Sequence, residues 1–317
     1  APQRGRRLMQ RFNNILVVVD DIASSQGAVD AAASLAARNK TRLTIVGLVD
    51  TGRSFLPFSG SEGNQIDMAS LLSEEREGEL QELAAGLDLP DVRTDVVPGV
   101  GFVEIVKRIH RDRHDIVFCS PKDGERRTLA GASLAMHLLR KSPVPVWVET
   151  PRGRSSPDVA VAVGPFDPEV ERLNERLIQL AGSLAAIRGG TLHIIHAWRF
   201  EGESLLRRGR AQQPAAYVDE LVEAEYLQAS NDLHRFAERA EVYGVPFELL
   251  LQKGHPGEVI PETISHIRPG VVVLGTLART GLQGMFIGNT AEQILGVVEA
   301  SVLAAKPDDF ISPIAPD

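Results

Sequence analysis

The stretch VVVLGTLARTGLQGMFIGNTAEQ, Val271 to Gln293, decides the fold. Val271 to Leu274 form a short apolar, mostly β-branched run and read as a strand buried on both faces. Glycines then recur through Gly288, letting the backbone turn tightly, and Thr290 to Glu299 reads as a helix. Strand, glycine-rich loop and helix, in that order, set the free N–H groups of a helix N-terminus beside a strand end. That arrangement suits an anion, most often a phosphate.

Outward from this stretch the chain is written twice. The first half opens with the apolar run Ile15 to Val19 and Asp20, a helix from about Ser25 to Ala37, and a strand from Leu43 to Val49. The second opens with Val159 to Val163, a helix from about Pro168 to Ile187, and a strand from Thr191 to Ala197. Each half then has a longer helix, Ile66 to Leu87 and Tyr217 to Tyr243, and a strand ending in a glycine turn at Gly99 or Gly254. Ile105 and Ile260 each follow that glycine by six residues, and the fourth strands, Asp115 to Cys119 and Gly270 to Leu274, end 21 residues after it, at Ser120 and Gly275. A helix and a fifth strand close each half, Val144 to Val148 and Ser301 to Ala305. The offsets match across a shift of 155 residues.

Strands alternating with helices predict right-handed βαβ units, an α/β class with helices on both faces of a parallel sheet. In such sheets ligands sit outside the C-terminal ends of the strands. Those ends are Asp20, Val49-Asp50, Gly99 and Ser120 in the first half, and Gly164, Ala197, Gly254 and Gly275 in the second. The stretch Glu149 to Asp158, with Pro151, Gly153, Ser155, Ser156 and Pro157, reads as a linker, giving domains 1–151 and 152–317.

Composition agrees with a globular chain: 317 residues, 43% apolar and 24% charged. A net charge of -8 argues against nucleic acid as the main partner. Arg4, Arg6, Arg7 and Arg11 make the start locally basic, and a solvated arm is the expected reading. The one cysteine, Cys119, lies in an apolar strand; it excludes an intrachain disulfide and reads as core packing. No signal-peptide pattern and no apolar run long enough for a bilayer stand out, so a soluble cytoplasmic protein without membrane insertion is expected.

The chain resembles the universal stress proteins, in their tandem two-domain E type, over about residues 12 to 308. The resemblance rests on Lys253-Gly254-His255-Pro256-Gly257-Glu258-Val259-Ile260-Pro261, on VVVLGT at Val271 to Thr276, on Arg279-Thr280-Gly281, on Gly288-Asn289-Thr290-Ala291-Glu292, and on the ending Ala305-Lys306-Pro307-Asp308. It implies two tandem Rossmann-like, doubly wound domains, each with a five-stranded parallel sheet in the order 3-2-1-4-5. It also implies that the two fifth strands pair antiparallel, making the chain an intramolecular pseudo-dimer. Some family members bind ATP and others do not, largely without an established catalytic reaction.

In ATP-binding members the loop reads glycine, two residues, glycine, nine residues, glycine, then Ser or Thr. The first glycine maps to Gly275 and the third to Gly288; Ala278 stands where the second belongs, and Asn289 takes the hydroxyl position with Thr290 beside it. The expected phosphate seat is Gly275, Thr276, Arg279, Gly288, Asn289 and Thr290, with Arg279 adding a charge-assisted contact. The bland alternative is a glycine turn kept for helix–strand packing, with Asn289 or Thr290 as helix cap. Gly164, Asp167, His196, Ala197, Gly254 and His255 are expected to line the pocket.

The first half has the reverse fault. Its loop, Ser120 to Ser133, lacks the first glycine and carries Asp123 and Glu125, which repel phosphate against Lys122, Arg126 and Arg127. Yet Asp20 stands where the family's adenine-contacting acid is found, whereas the second half has Gly164 there and Asp167 three residues late. Asp20, Asp21, Gly99 and Ser133 form a vestigial first site.

Of the histidines, His193 and His196 are three apart on a strand and point to opposite faces, so they do not share a metal without a bulge. His196 and His255 read as polar pocket lining, and His234 and His266 add no ligand set. No nucleophile elbow or paired-carboxylate motif stands out. The segment Glu201 to Ala216, with Arg207, Arg208 and Arg210, reads as a solvated loop, with a lid contacting an anionic or amphipathic ligand as the alternative. The expectation is therefore a cytoplasmic stress protein without catalysis, holding ATP or another phosphate-bearing small ligand in its second domain, with no metal. A slow ATPase or phosphotransferase and a pure protein-interaction module are the alternatives. Further homo-oligomerisation stays open.

Overall fold

A computed structural model of the chain describes residues 12–49, 68–121, 133–150, 156–164, 168–241, 244–276 and 287–315. The chain forms two compact units. The first gathers the chain up to Gly153 and its end, Ser301–Asp317; the second gathers Arg154–Leu277 and Gly288–Ala300.

In the first unit the elements run β1 (Asn14–Val19), α1 (Ile22–Asn39), β2 (Arg42–Val49), α2 (Met68–Ala85), β3 (Val92–Pro98), α3 (Gly101–Asp112), β4 (Ile116–Cys119), α4 (Leu134–Lys141) and β5 (Val146–Val148). β1 lies between β2 and β4, β2 also pairs with β3, and β4 with β5, all parallel, giving the order 3-2-1-4-5. Because the strand order reverses at β1, with β2 and β3 to one side and β4 and β5 to the other, its C-terminal end is a topological switch point, where sheets of this kind bind ligands. Ile15, Leu16, Val17 and Val19 are fully buried, consistent with a sheet covered on both faces, and each such side chain stabilises the fold by about 1.5–3 kcal/mol.

The second unit repeats the plan with β6 (Val159–Val163), α5 (Pro168–Arg188), β7 (Leu192–Trp198), α6 (Glu203–Arg208), α7 (Ala215–Glu241), β8 (Phe247–Lys253), α8 (Pro256–Ile267), β9 (Val271–Gly275) and α9 (Asn289–Val297). β6 is again central, paired in parallel with β7 and β9, and β8 flanks β7. The last strand, β10 (Ser301–Ala305), belongs to the first unit. It runs antiparallel to β5, with Val302 opposite Val148, Leu303 opposite Trp147 and Ala304 opposite Val146.

Three local differences from the sequence expectations have physical causes. α1 starts at Ile22 and not near Ser25, because Asp21 caps it: its Oδ2 accepts the Ser24 N–H at 2.9 Å. Glu149, read as the start of a linker, is fixed at both carboxylate oxygens. Oε2 accepts from Trp147 Nε1 and Oε1 from the Ser301 hydroxyl, each at 2.7 Å, so it stitches β5 to β10. Finally, the segment expected as a loop contains the short helix α6, held by charge pairs and not by apolar periodicity.

Candidate functional site

The C-terminal strand ends of the second unit carry the candidate site. β6 is followed by Gly164, whose N–H donates to Asn174 Oδ1 at 3.0 Å and whose carbonyl accepts from Asn174 Nδ2 at 3.4 Å. Asn174 comes from α5 and is fully buried. The backbone at Gly164 is thus tied to α5, and the position offers no acid. A Cβ at Gly164 would meet Val170 Cγ1 at 3.4 Å and Asn174 Oδ1 at 3.8 Å, ordinary contact, so sterics do not demand glycine there.

β7 carries His196, Ala197 and Trp198 to the same end. His196 is buried, and its Nδ1 lies 3.2 Å from the Val163 carbonyl oxygen. A carbonyl only accepts, so Nδ1 holds the proton and donates across to β6. Burial pushes the His196 pKa below its ordinary value, against the opposing pull of the Val163 carbonyl and the Asp232 charge. His196 is therefore a neutral brace between two strand ends. Ala197 beside it is half-buried.

Gly254 follows β8 directly with φ +146°, and a Cβ there would come within 2.6 Å of Val259 Cγ1, so both backbone and packing require glycine. Its N–H donates to the Trp198 carbonyl at 2.9 Å. His255 caps α8: its Nδ1 accepts the Gly257 N–H at 3.2 Å. This exposed ring serves the helix start, a role the expectation of a pocket lining did not include.

The two ends of the glycine-rich loop do different work. At Gly275 a Cβ would meet Leu173 Cδ2 at 2.8 Å and Leu177 Cδ1 at 3.3 Å, so this glycine lets α5 lie close on β9. Thr276 after it is buried. Gly288 has φ +99° and is the N-cap of α9, with no side-chain hydrogen bond to the helix start. Neither Asn289 nor Thr290 is the cap, contrary to the packing alternative. They are the first two residues of the helix, and Thr290 is half-buried. Gly257 sits so close to α9 that a Cβ would overlap Gln293 Oε1 at 1.5 Å, so α8 and α9 begin side by side. Arg279, Asp167, Ala278 and the side chain of Asn289 lie outside the described residues.

In the first unit the corresponding end is filled from above. Gly47 lets α2 approach: a Cβ there would meet Arg76 Cγ at 2.8 Å and Leu80 Cδ1 at 2.9 Å. Arg76 then reaches the end of β1, donating to the Asp20 carbonyl at 3.0 Å and pairing with Glu79 at 2.9 Å. Asp21 is spent on capping α1, and the buried Ser133 caps α4 by accepting from Met136 N–H at 3.3 Å. Gly99 has φ +109° and donates to the Val49 carbonyl at 3.3 Å. Asp20, Gly99 and Ser133 do lie at strand ends or a helix start, but Asp21 and Ser133 are structural caps here.

Sequence reading missed Asn174, Arg76 and the Gly257–Gln293 contact. Asn174 had a signal, a lone amide within the apolar stripe of Val170, Leu173, Leu177 and Ile178. Arg76 had none, since it sits in the charged run SEEREGEL. Among the described residues no group of three His, Cys, Asp or Glu is placed to hold a metal ion, and no helix is long and apolar enough to cross a membrane.

The site's geometry can be set beside known proteins. The sequence profile of the universal stress protein family matches residues 11–149 and 165–306. Universal stress protein E of Escherichia coli K12 is 28% identical over 331 aligned positions, spanning 98% of each chain. A solved structure of a Pseudomonas aeruginosa PAO1 protein, described as functionally unknown, superposes with a TM-score of 0.67 at 26% identity, covering 95% of both chains. Two solved universal stress proteins that align with 47% of this chain, at 17% and 16% identity and TM-scores of 0.33, were determined in complex with cAMP and dAMP respectively.

Proposed function

Given that the chain belongs to the universal stress protein family, we propose that its second domain, from residue 152 onward, is a binding module for a phosphate-bearing small ligand, ATP or a related nucleotide. The ligand's phosphate sits against Gly275-Thr276 and the start of α9 at Gly288-Asn289-Thr290, with Arg279 as a further contact. The protein acts in the cytoplasm as a stress protein and catalyses no reaction of its own.

One observation carries this reading. α9 begins at a glycine with φ +99° that offers no capping side chain, so among the described residues no cap side chain takes the N–H groups of its first turn, a start suited to an anion. The partial positive charge of a helix N-terminus favours that anion by roughly 0.3–1 kcal/mol, before any direct hydrogen bond is formed. Adenine recognition is the weaker half of the site. Gly164 has no carboxylate, and its backbone groups are engaged by Asn174. The ligand is held by its phosphate. The first domain is structural in this reading, its strand end occupied by Arg76.

The test is a matched pair, Gly288→Asp and Gly288→Asn, with ATP binding measured by titration calorimetry. The two side chains share a shape and impose the same backbone strain, so the difference isolates charge. Loss of binding in Gly288→Asp with retention in Gly288→Asn supports the seat; equal affinities overturn it.

A further inference from the structure

Helix α6 is held down mainly by charge, with one backbone hydrogen bond from Gln213 N–H to the Leu206 carbonyl at 2.9 Å. None of its residues is buried, and Leu205 stands 55% exposed. Its attachments to the rest of the unit include two ion pairs. Glu203 Oε2 lies 2.8 Å from Lys253 Nζ at the end of β8, and Arg207 Nη2 lies 2.6 Å from Asp219 Oδ1 on α7. The other Glu203 oxygen, Oε1, accepts from Arg207 Nε at 2.9 Å. The Glu203 carboxylate is therefore held at both oxygens by cations, as a bound anion would be. These cations hold its carboxyl below the usual carboxylate range, the Lys253 hydrogen bond first.

Lys253 stands at the ligand end of the sheet, directly before the Gly254 turn. Its amine also lies 5.6 Å from the ring centroid of Trp198, the last residue of β7. Trp198 packs in turn on Tyr226 of α7, centroids 5.5 Å apart, and Tyr226 is 40% exposed. A cation and an aromatic pair thus meet at the strand ends beneath α6.

We propose that the Lys253 amine is an anion seat whose resting occupant is Glu203, so that α6 is a lid that a phosphate-bearing ligand loosens by taking the seat. This rests on the phosphate-binding reading of the second domain but uses different residues. The ligand group it recognises is a multiply charged phosphate. A single-charged carboxylate from outside competes poorly, because Glu203 is already tethered in place. A short helix with no fully buried side chain opens at low cost, which is what a lid requires.

The test uses trypsin on the full chain, with cleavage after Arg208 and Arg210 followed by mass spectrometry. Glu203→Gln keeps the side-chain shape and removes the charge. Without ligand it should raise cleavage at these two sites about two- to fivefold, the range an exposed ion pair supports; an unchanged rate overturns the latch. Inorganic pyrophosphate, the probe, should accelerate the same cleavages in the wild type and not in Lys253→Gln. If pyrophosphate binds by calorimetry yet leaves these cleavages unchanged, or accelerates them equally in Lys253→Gln, the lid fails while the phosphate seat at α9 stands. If the lid responds but Gly288→Asp binds pyrophosphate as the wild type does, the α9 seat fails and the lid stands.

Discussion

Lys306, directly after β10, is a buried amine whose charge is linked to folding of the first unit. Its Nζ donates to the carbonyl of Leu139 in the last turn of α4 at 2.6 Å and lies 4.8 Å from the ring centroid of Phe310. Both contacts favour the ammonium form. Burial opposes them and prevails, pushing the pKa from 10.5 down to about 7. Between those two values the folded chain carries the neutral amine and the unfolded chain the charged one. Folding then releases a proton, so stability rises as pH rises, by up to about 1.4 kcal/mol per pH unit. Over the full interval the gain approaches roughly 5 kcal/mol; below pH 7 the penalty is complete and flat. Lys306→Met removes the titration and leaves the Leu139 carbonyl unpaired, at a cost of about 1–3 kcal/mol. The variant should therefore be the more stable protein at pH 7 by roughly 2–4 kcal/mol, and the less stable one at pH 10.5, with the curves crossing near pH 8–10. Urea unfolding at several pH values, read by Trp147 fluorescence in a Trp198→Phe background, measures this on the unit that contains Lys306. Parallel curves for wild type and variant across this range would refute the reasoning, since they would mean that Lys306 titrates as an ordinary lysine.

Three further outcomes follow from individual contacts. Gly254→Ala should destabilise the second unit by about 1–3 kcal/mol, and Val259→Ala in the same chain should relieve only part of it, because the φ of +146° remains; chemical denaturation of both variants checks this. Asn174→Leu keeps the branched outline but is larger and leaves the Gly164 N–H unpaired, so a loss of at least about 1–3 kcal/mol is expected in the same assay. Gly275→Ala should cost about 1–3 kcal/mol through the approach of Leu173 and recover partly with Leu173→Ala, again by chemical denaturation.

The fold was legible because its signals are local and repeated. The apolar runs at Val159–Val163 and Val271–Leu274, with matching glycine turns at Gly99 and Gly254, dictate a doubled α/β plan, and positive φ at both glycines explains why the turns needed them. Helix starts were less legible. Asp21, Ser133 and His255 cap helices, and a polar residue at a strand end reads equally as a ligand contact or as a cap until the following N–H is placed. At the candidate site, Gly275 and Gly288 look alike in sequence, and only their surroundings separate them: a Cβ at Gly275 would meet Leu173, whereas Gly288 opens a helix. Arg76 and the Glu203–Lys253 pair stayed hidden, since a charged residue on a solvated helix shows nothing in sequence of the strand end it reaches across the fold.

The central claim is that an anion is received by the first turn of α9. The most direct measurement is a titration of the isotope-labelled protein with ATP, following its backbone amide resonances. Saturable shifts are expected that are largest at Asn289, Thr290 and Ala291 and that vanish in Gly288→Asp. Saturable shifts centred instead on Asp20 to Ser24 or Ser133 to Met136, with the α9 amides unmoved, would contradict it.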